Sequence, residues 1–545
     1  MDSNEALDMI DVDTMLWHVG DFGRYQYMLI TLFSLINAFS AFHYFGQTFI
    51  SIIPDHRCKS IVIDNLTQIS YTACSIKIAY GNESIDLPCV SGWEYNNTYG
   101  YVSLIQQLNW VCEEDWKPVL GQSVFFIGSV MGSLGFGVLA DYIGRLHVLV
   151  ISNLFVVFGN LLTLLSSDAV VFGISRFVAG CATDSNFVMM YIIVMEYIRP
   201  SMRTFGLNLC IGVFYCISCM AVPWVAVLFG DWKWFLLIIS LPHLSILVFY
   251  VLVPESAQWL ISKGKTEKAI ICFQRIAQIN GKEVTQKVFD QLRRYASRHI
   301  KKNNNETILG LIKTPKLRRK TFILMFKSMV MTLGYDAISR NVNGFSLSPF
   351  LIFTISSSTI LPACAFILAF QDKAGRKALA SGALFISGFF TAAAGIVLSI
   401  STAPNTIVTI IFTVLARLSI NVAYNSGAQY AVELIPTVVR GQGVSAIHVV
   451  GYAASFFSPH ILYLSNVWQP LPEVILGFLL TAGAVACLFL PETLNKTLPV
   501  TLEDGENFGE DERFFEFACF KRRKTESTQS LSPKQNDKKY VLSKQ

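Results

Sequence analysis

Asp184, Asp336, Arg340, Arg417 and His448 each stand inside a long apolar stretch of this 545-residue chain. A charge at membrane depth is costly and is usually kept for function. Counting back from Glu196 along a helix puts Asp184 roughly 18 Å from the helix end, near the middle of a bilayer. Counted from Glu433, Arg417 lies roughly 24 Å in. A carboxylate at that depth can hold an organic cation. Phe187, Tyr191, Tyr335, Tyr424 and Tyr452 lie on the same group of stretches, and aromatic faces attract quaternary and protonated amines. His448 is one turn before Tyr452, so the two share a helix face. Arg417 is placed to hold the carboxylate of a zwitterion.

Each residue also has a plainer role. Asp184 and Arg417 can pair as a buried bridge. Asp336 and Arg340 have i,i+4 spacing and can pair near one surface. His448 can be a satisfied interior histidine, Lys327 can snorkel to the interface, and the aromatic rings can simply pack helices together.

A second set of charges sits at the ends of the apolar stretches, and it occurs twice. Asp141, Gly144 and Arg145 are echoed by Asp372, Gly375 and Arg376. Glu196 and Arg203 are echoed at the same spacing by Glu433 and Arg440, and Pro254-Glu255-Ser256 by Pro491-Glu492-Thr493. Two related hydrophobic halves with charges at the segment ends read as a transporter. Gly137 and Gly144 permit a tight turn between closely packed helices. Asp141 and Arg145 can make charge-assisted bonds to helix ends. At the seam between two bundles, such contacts would act as a gate that breaks and re-forms. Gly128 and Gly132 have the spacing of a small-residue packing face, which suits contact inside the bundle better than dimerisation.

These elements must be membrane helices. The chain is 52% hydrophobic and only 15% charged, against about 25% charged in soluble domains. A helix needs about 20 apolar residues to cross the hydrocarbon core. About twelve stretches qualify: 25–50, 119–140, 148–166, 171–195, 205–229, 232–253, 321–340, 345–370, 378–400, 406–432, 441–464 and 471–490. The expected class is an all-α polytopic membrane protein of two pseudosymmetric six-helix bundles. Its expected divisions are an N-terminal segment 1–24, a first bundle 25–253 with a long loop 54–118, a helical linker 254–320, a second bundle 321–490 and a tail 491–545. The net charge of +5 is small, and no nucleic-acid partner is expected.

Basic residues in short loops mark the cytoplasmic side. Arg145, Arg199, Arg203, the 316–320 cluster, Lys373, Arg376 and Lys377 fall on one side if both termini are cytoplasmic. The 54–118 loop then faces outside. It carries glycosylation acceptor patterns at Asn65, Asn82 and Asn96. Its Cys58, Cys74, Cys89 and Cys112 suggest two disulfides, with connectivity left open.

Longer motifs carry a family likeness. Gly20-Asp21-Phe22-Gly23-Arg24-Tyr25-Gln26, Pro54-Asp55-His56-Arg57-Cys58, Gly92-Trp93-Glu94-Tyr95 and Asn109-Trp110-Val111-Cys112 resemble the organic cation, anion and carnitine transporters. So do Pro254-Glu255-Ser256-Ala257-Gln258-Trp259-Leu260, Thr314-Pro315-Lys316-Leu317-Arg318 and Glu433-Leu434-Ile435-Pro436-Thr437-Val438-Val439-Arg440. These are solute carrier family 22 of the major facilitator superfamily. The resemblance implies a major facilitator fold, a central cavity and alternating access. It also exposes departures. Leu368 stands where a glycine is expected before Asp372. Tyr452 stands where the family's cation carriers often have an Asp and its anion and carnitine carriers an Arg. Asp184 falls where some related cation carriers have a Lys.

The expected function is secondary transport of small organic cations or zwitterions (amines, betaines, carnitine-like molecules) across the plasma membrane, with a small organic ion and the lipid bilayer as partners and any coupling ion unspecified. The alternative is an organic anion carrier using Arg417 and Lys327. A multi-span receptor or enzyme is a different class. No His-Glu-x-x-His zinc motif occurs, and Gly264-Lys265-Thr266 has Trp259 where a phosphate loop needs glycine. No catalytic residue, metal or cofactor is expected.

Overall fold

The computed structural model describes residues 10–510, except 11, 21–22, 61–68, 81–82, 199–209, 302–308, 343–346, 401–405, 495, 497 and 500. Arg203, Asn65 and Asn82 therefore lie outside the described residues. Eleven described helices are long and apolar enough to cross a membrane. They are α1 (Arg24–Ile50), α2 (Cys112–Ile143), α3 (Arg145–Leu164), α4 (Ala169–Tyr197), α5 (Gly212–Phe229), α6 (Trp232–Leu252), α7 (Pro315–Arg340), α8 (Pro349–Ala374), α9 (Arg376–Ile400), α10 (Ile407–Leu434) and α11 (Thr437–Asn466). A shorter apolar helix, α12 (Leu471–Cys487), follows.

Boundaries move for local reasons. α7 starts at Pro315 rather than 321, because proline suits a first helical turn, where its missing N–H would have no partner. α3 and α9 start at the two Gly-Arg turns. Gly144 and Gly375 have φ of 106° and 93°, a backbone conformation that only glycine adopts without strain.

Small residues decide how α2 and α4 meet. A Cβ at Gly128 would fall on the Phe177 carbonyl, one at Gly132 on the Cys181 carbonyl, and one at Gly180 on the Phe125 carbonyl. The two backbones thus touch, as the glycine spacing predicts. α4 is also irregular at this point. Its Ala169–Cys181 and Thr183–Tyr197 segments meet at Ala182, whose N–H bonds the Ala179 carbonyl. Asp184 sits just past that break.

The loop between α1 and α2 is not helical throughout, a feature that an all-α reading passes over. β1 (Asp55–Cys58) pairs antiparallel with β5 (Trp93–Asn96), and β2 (Ile69–Tyr71), β3 (Ser75–Tyr80) and β4 (Glu83–Pro88) form a second small sheet. Two disulfides, Cys58–Cys89 and Cys74–Cys112, resolve the open connectivity. The second ties this subdomain to the start of α2. Asn96, the described acceptor, is exposed on β5.

At the opposite end, helices Ala257–Ser262, Thr266–Asn280 and Gln286–Lys301 follow α6. The apolar face Ala269, Ile270, Phe273, Ile276 and Ala277 is buried in one core with Val12, Met15, Leu16 and Val19 of the Val12–Val19 helix. Asn280 locks the corner: it donates to the Val19 and Gly20 carbonyls at 3.0 and 3.1 Å and accepts from Tyr25 N at 2.9 Å. The N-terminal helix and the linker therefore share one end of the molecule.

The α2–α4 contact makes a test. Gly132→Leu should overpack the crossing and cost about 1–3 kcal/mol, read as a lower melting temperature in detergent. Gly135→Leu on the same helix meets nothing within 4 Å and should leave the melting temperature unchanged.

Candidate functional site

The close approach of α2 and α4 puts Ser133 beside Asp184, and the serine hydroxyl donates to the Asp184 Oδ2 at 3.2 Å. From the other half, His448 and Tyr452 of α11 lie next to the same carboxylate. Tyr452 reaches Tyr424 of α10, and Tyr424 packs against Tyr335 of α7 with ring centroids 4.9 Å apart. On α4 itself, Phe187 stacks on Tyr191 at 5.9 Å and meets Phe33 of α1 at 5.9 Å. Asp184, Phe187, Tyr191, Tyr335, Tyr424, His448 and Tyr452 all keep part of their surface uncovered. Together they make a carboxylate with aromatic walls, assembled from both halves.

The remaining sequence candidates are somewhere else. Arg417 is 1% exposed, donates to the Tyr335 carbonyl at 3.0 Å and lies over the Tyr335 ring at 4.2 Å. It does not pair with Asp184. The buried bridge between these two residues is thus replaced by a guanidinium–ring stack inside the second half. Lys327 is also 1% exposed, with its ammonium on the Gly427 carbonyl. The two cations an anion carrier would use are therefore both spent on backbone carbonyls.

Asp336 and Arg340 do pair, at 2.7 Å, but the pair is buried rather than near a surface. It joins the halves. Tyr44 of α1 donates to Asp336 Oδ1 at 2.6 Å. Arg340 donates to Thr48 Oγ1 at 2.8 Å and to the Tyr44 carbonyl at 3.0 Å, and it lies over the rings of Tyr44 and Phe126 at 4.8 and 5.7 Å. Further out, Asp115 accepts from Tyr463 at 2.7 Å and from Asn466 at 2.9 Å, while Ser123 contacts His460 at 3.1 Å. These bonds close the seam toward the disulfide-bearing end.

At the other end, in this arrangement with the seam closed toward the disulfide-bearing side, the described motif residues bond inside their own halves. Glu255 accepts from the backbone N–H groups of Arg145 and Leu146 at 2.9 and 3.1 Å, capping the positive start of α3. Arg145 pairs with Asp141 at 3.1 Å. Glu196 accepts from the Ser256 hydroxyl at 2.6 Å and from Gln258 N at 3.2 Å. The second half repeats this. Glu492 accepts from Arg376 N at 2.9 Å, Arg376 pairs with Asp372 at 2.9 Å and with Glu433 at 3.3 Å, and Thr493 donates to Glu433. Tyr197 and Tyr430 each donate, at 2.6 Å, to the carbonyls of Glu255 and Pro491. Arg440 lies within electrostatic reach of Glu433 without an ion pair to it among the described residues, and donates to the Ile435 carbonyl at 3.3 Å. Beside Gly137 of α2 there is open space.

Sequence reasoning passed over several participants. Tyr44 and Ser133 gave no charge signal. Arg176, His43 and His243 did, under the rule that singled out Asp184. They form a buried polar network in the first half: Arg176 donates to Asn160 at 2.9 Å, His43 meets the Ala179 carbonyl at 3.0 Å, and His243 meets Asn153 at 2.8 Å.

Comparison with known proteins agrees with this architecture. Residues 93–501 match the family described as sugar (and other) transporter. The chain is 29% identical to the organic cation transporter protein of Drosophila melanogaster, over 91% of this chain and 95% of that one. It is 26% identical to the human organic cation/carnitine transporter 2, over 91% of this chain and 94% of that one. Among solved structures, the inward-open conformation of the xylose transporter XylE from E. coli is similar, with a TM-score of 0.59 and 15% identity, covering 89% of this chain and 99% of that one. A peptide transporter, POT, is also similar, with a TM-score of 0.55 and 13% identity over 88% of this chain and 97% of that one. A family match across most of the chain, on a fold of paired helical bundles with repeated motifs, makes this protein a member of the sugar (and other) transporter family.

Proposed function

We propose that the protein carries small organic cations across the plasma membrane, with both termini in the cytoplasm and the disulfide-bearing loop outside. Protonated and quaternary amines fit best, including the amine end of betaine-like or carnitine-like zwitterions. The observation that carries this reading is Asp184, a half-buried residue whose carboxylate lies beside side chains from both halves, with aromatic rings around it. A cation entering there gains charge–charge attraction and ring contacts together. An anion would find Arg417 and Lys327 already covered. The names of the relatives, organic cation and organic cation/carnitine transporters, support the same class of substrate.

The motif glutamates and arginines are proposed to hold each half rigid, while the Asp336–Arg340–Tyr44 cluster acts as the outer latch of an alternating-access cycle. Asparagines 65, 82 and 96 are the proposed glycan acceptors. The basic loops support the sidedness.

Two measurements test this. Asp184→Asn should lower uptake of a quaternary amine at least about tenfold, since two unit charges about 4 Å apart attract by roughly 4 kcal/mol at an effective dielectric constant of about 20, without creating uptake of an aromatic carboxylate. Unchanged amine uptake by a variant at normal surface level would exclude the carboxylate as the binding group. Arg340→Gln leaves Asp336 buried without its cation, a loss of about 3–5 kcal/mol from the latch. A cysteine placed at Tyr335 should then react severalfold faster with a membrane-impermeant thiol reagent added from the disulfide-bearing side. Equal rates with and without the substitution would remove the latch assignment.

A further inference from the structure

Among the described residues, the carboxylates near the start of α7 are taken up elsewhere: Glu506 accepts from the N–H groups of Lys316 and Leu317. Lys316 is paired with Glu510. Lys320 is bound to the carbonyls of Gly505, Glu506 and Phe508 at 2.9, 3.0 and 2.6 Å. Arg318 and Arg319 lie between them, and among the described residues neither pairs with a carboxylate. Both are exposed. The Arg319 guanidinium lies over the Phe489 ring at 5.5 Å, beyond the end of α12.

These two arginines form the rim of a shallow, open surface groove lined by Pro315, Arg318, Arg319, Phe322, Ile323 and Phe489. Its floor is apolar and open to the outside: Phe322 is 55% exposed and Phe489 46% exposed. In a chain whose helices cross a bilayer, those rings face acyl chains. The arginines stand one turn nearer the helix end, at headgroup level. Guanidinium groups match phosphate oxygens in a two-pronged geometry, and basic pockets between membrane helices suit anionic headgroups. A soluble anion would use the rim but gain nothing from the floor. A zwitterionic lipid would leave the two cations unbalanced.

We infer that this open groove is a binding site for one anionic phospholipid, with its phosphate between Arg318 and Arg319 and its first acyl segment against Phe322, Ile323 and Phe489. The site is separate from the Asp184 site and does not depend on which substrate the carrier moves.

Native mass spectrometry of the full-length chain tests it, using mixed micelles with equal phosphatidylglycerol and phosphatidylcholine. The parent should retain phosphatidylglycerol preferentially. Each arginine near the surface contributes about a fivefold preference, so the Arg318→Gln, Arg319→Gln double variant should lose at least about tenfold. Arg318→Lys with Arg319→Lys keeps the charge but loses the two-pronged geometry, and should give a preference between those of the parent and the Gln double variant. Lys268→Gln, on the linker at the same end, should keep all of it. Phe322→Ser should weaken retention with both arginines intact, giving a second reading if the double variant is unstable. Inorganic phosphate at matched phosphate concentration should not displace the lipid. Equal retention of the two lipids by the parent, undiminished preference in both the double variant and Phe322→Ser, or displacement by inorganic phosphate would each overturn the assignment.

Discussion

The cost of an unpartnered charge in a low-dielectric interior governs this structure. Water cannot relieve it, so every ionised group at membrane depth must be answered by a nearby dipole, ring or counter-charge. The answers differ, and the differences sort the residues by role. Arg417 and Lys327 take backbone carbonyls in their own half, which makes them part of its framework. Asp336 is answered by Arg340 and Tyr44, so its partners come from both halves. Among the described residues, Asp184 has a serine hydroxyl at 3.2 Å from its own half, with a histidine and a tyrosine from the other. Unlike Asp336 it has no arginine or lysine partner, so it has more to gain from a cation brought in from solution.

The same accounting separates rigid parts from moving parts. Within each half, the glutamate after the sixth or twelfth helix caps the start of the third or ninth. The arginine of that cap is tied back to the aspartate one turn earlier. The glutamate bonds go to backbone N–H groups at helix starts, so breaking them would unravel the helix end as well. The arginine–aspartate ties are side-chain bonds within one turn. The bonds that cross the seam are unlike the glutamate caps. Arg340 to Thr48, Tyr44 to Asp336 and Asp115 to Tyr463 are side-chain contacts, which can exchange for water without disturbing either backbone.

How much of this was legible in the sequence depended on whether the signal was local. Apolar length revealed the helices, and the glycine spacing on α2 indicated a close packing face. The structure supplied the reason: two carbonyls of α4 lie where a Cβ would sit. The apolar face of the linker helix was equally plain at Ala269, Ile270, Phe273, Ile276 and Ala277. What could not be read was partnership across long separations. Asp184 and Arg417 occupy corresponding helices of the two halves and look matched, yet the ring and carbonyl of Tyr335 reach Arg417 first. Tyr44 and Ser133 carry no charge, so only their positions reveal them. The motif repeat was visible as a repeat. Whether its bonds ran within or between halves was a question of geometry that spacing alone does not contain.

The placement of the carboxylate has a mechanical consequence. Asp184 belongs to the first half, while Tyr335, Tyr424, His448 and Tyr452 belong to the second. On the proposed reading, a cation between them would touch both, and its attraction to the carboxylate would act across the seam. It would then stabilise arrangements in which the halves lie close at mid-depth more than arrangements in which they lie apart. An empty site lacks that bridge and leaves a partly uncompensated carboxylate, which favours an opening that lets water reach it. Differential binding of this kind is what a ligand needs in order to shift a conformational equilibrium. Had the carboxylate been on α11 with the tyrosines, most of the substrate's binding energy would have been gained within one half, and less of it would have been available to draw the two together.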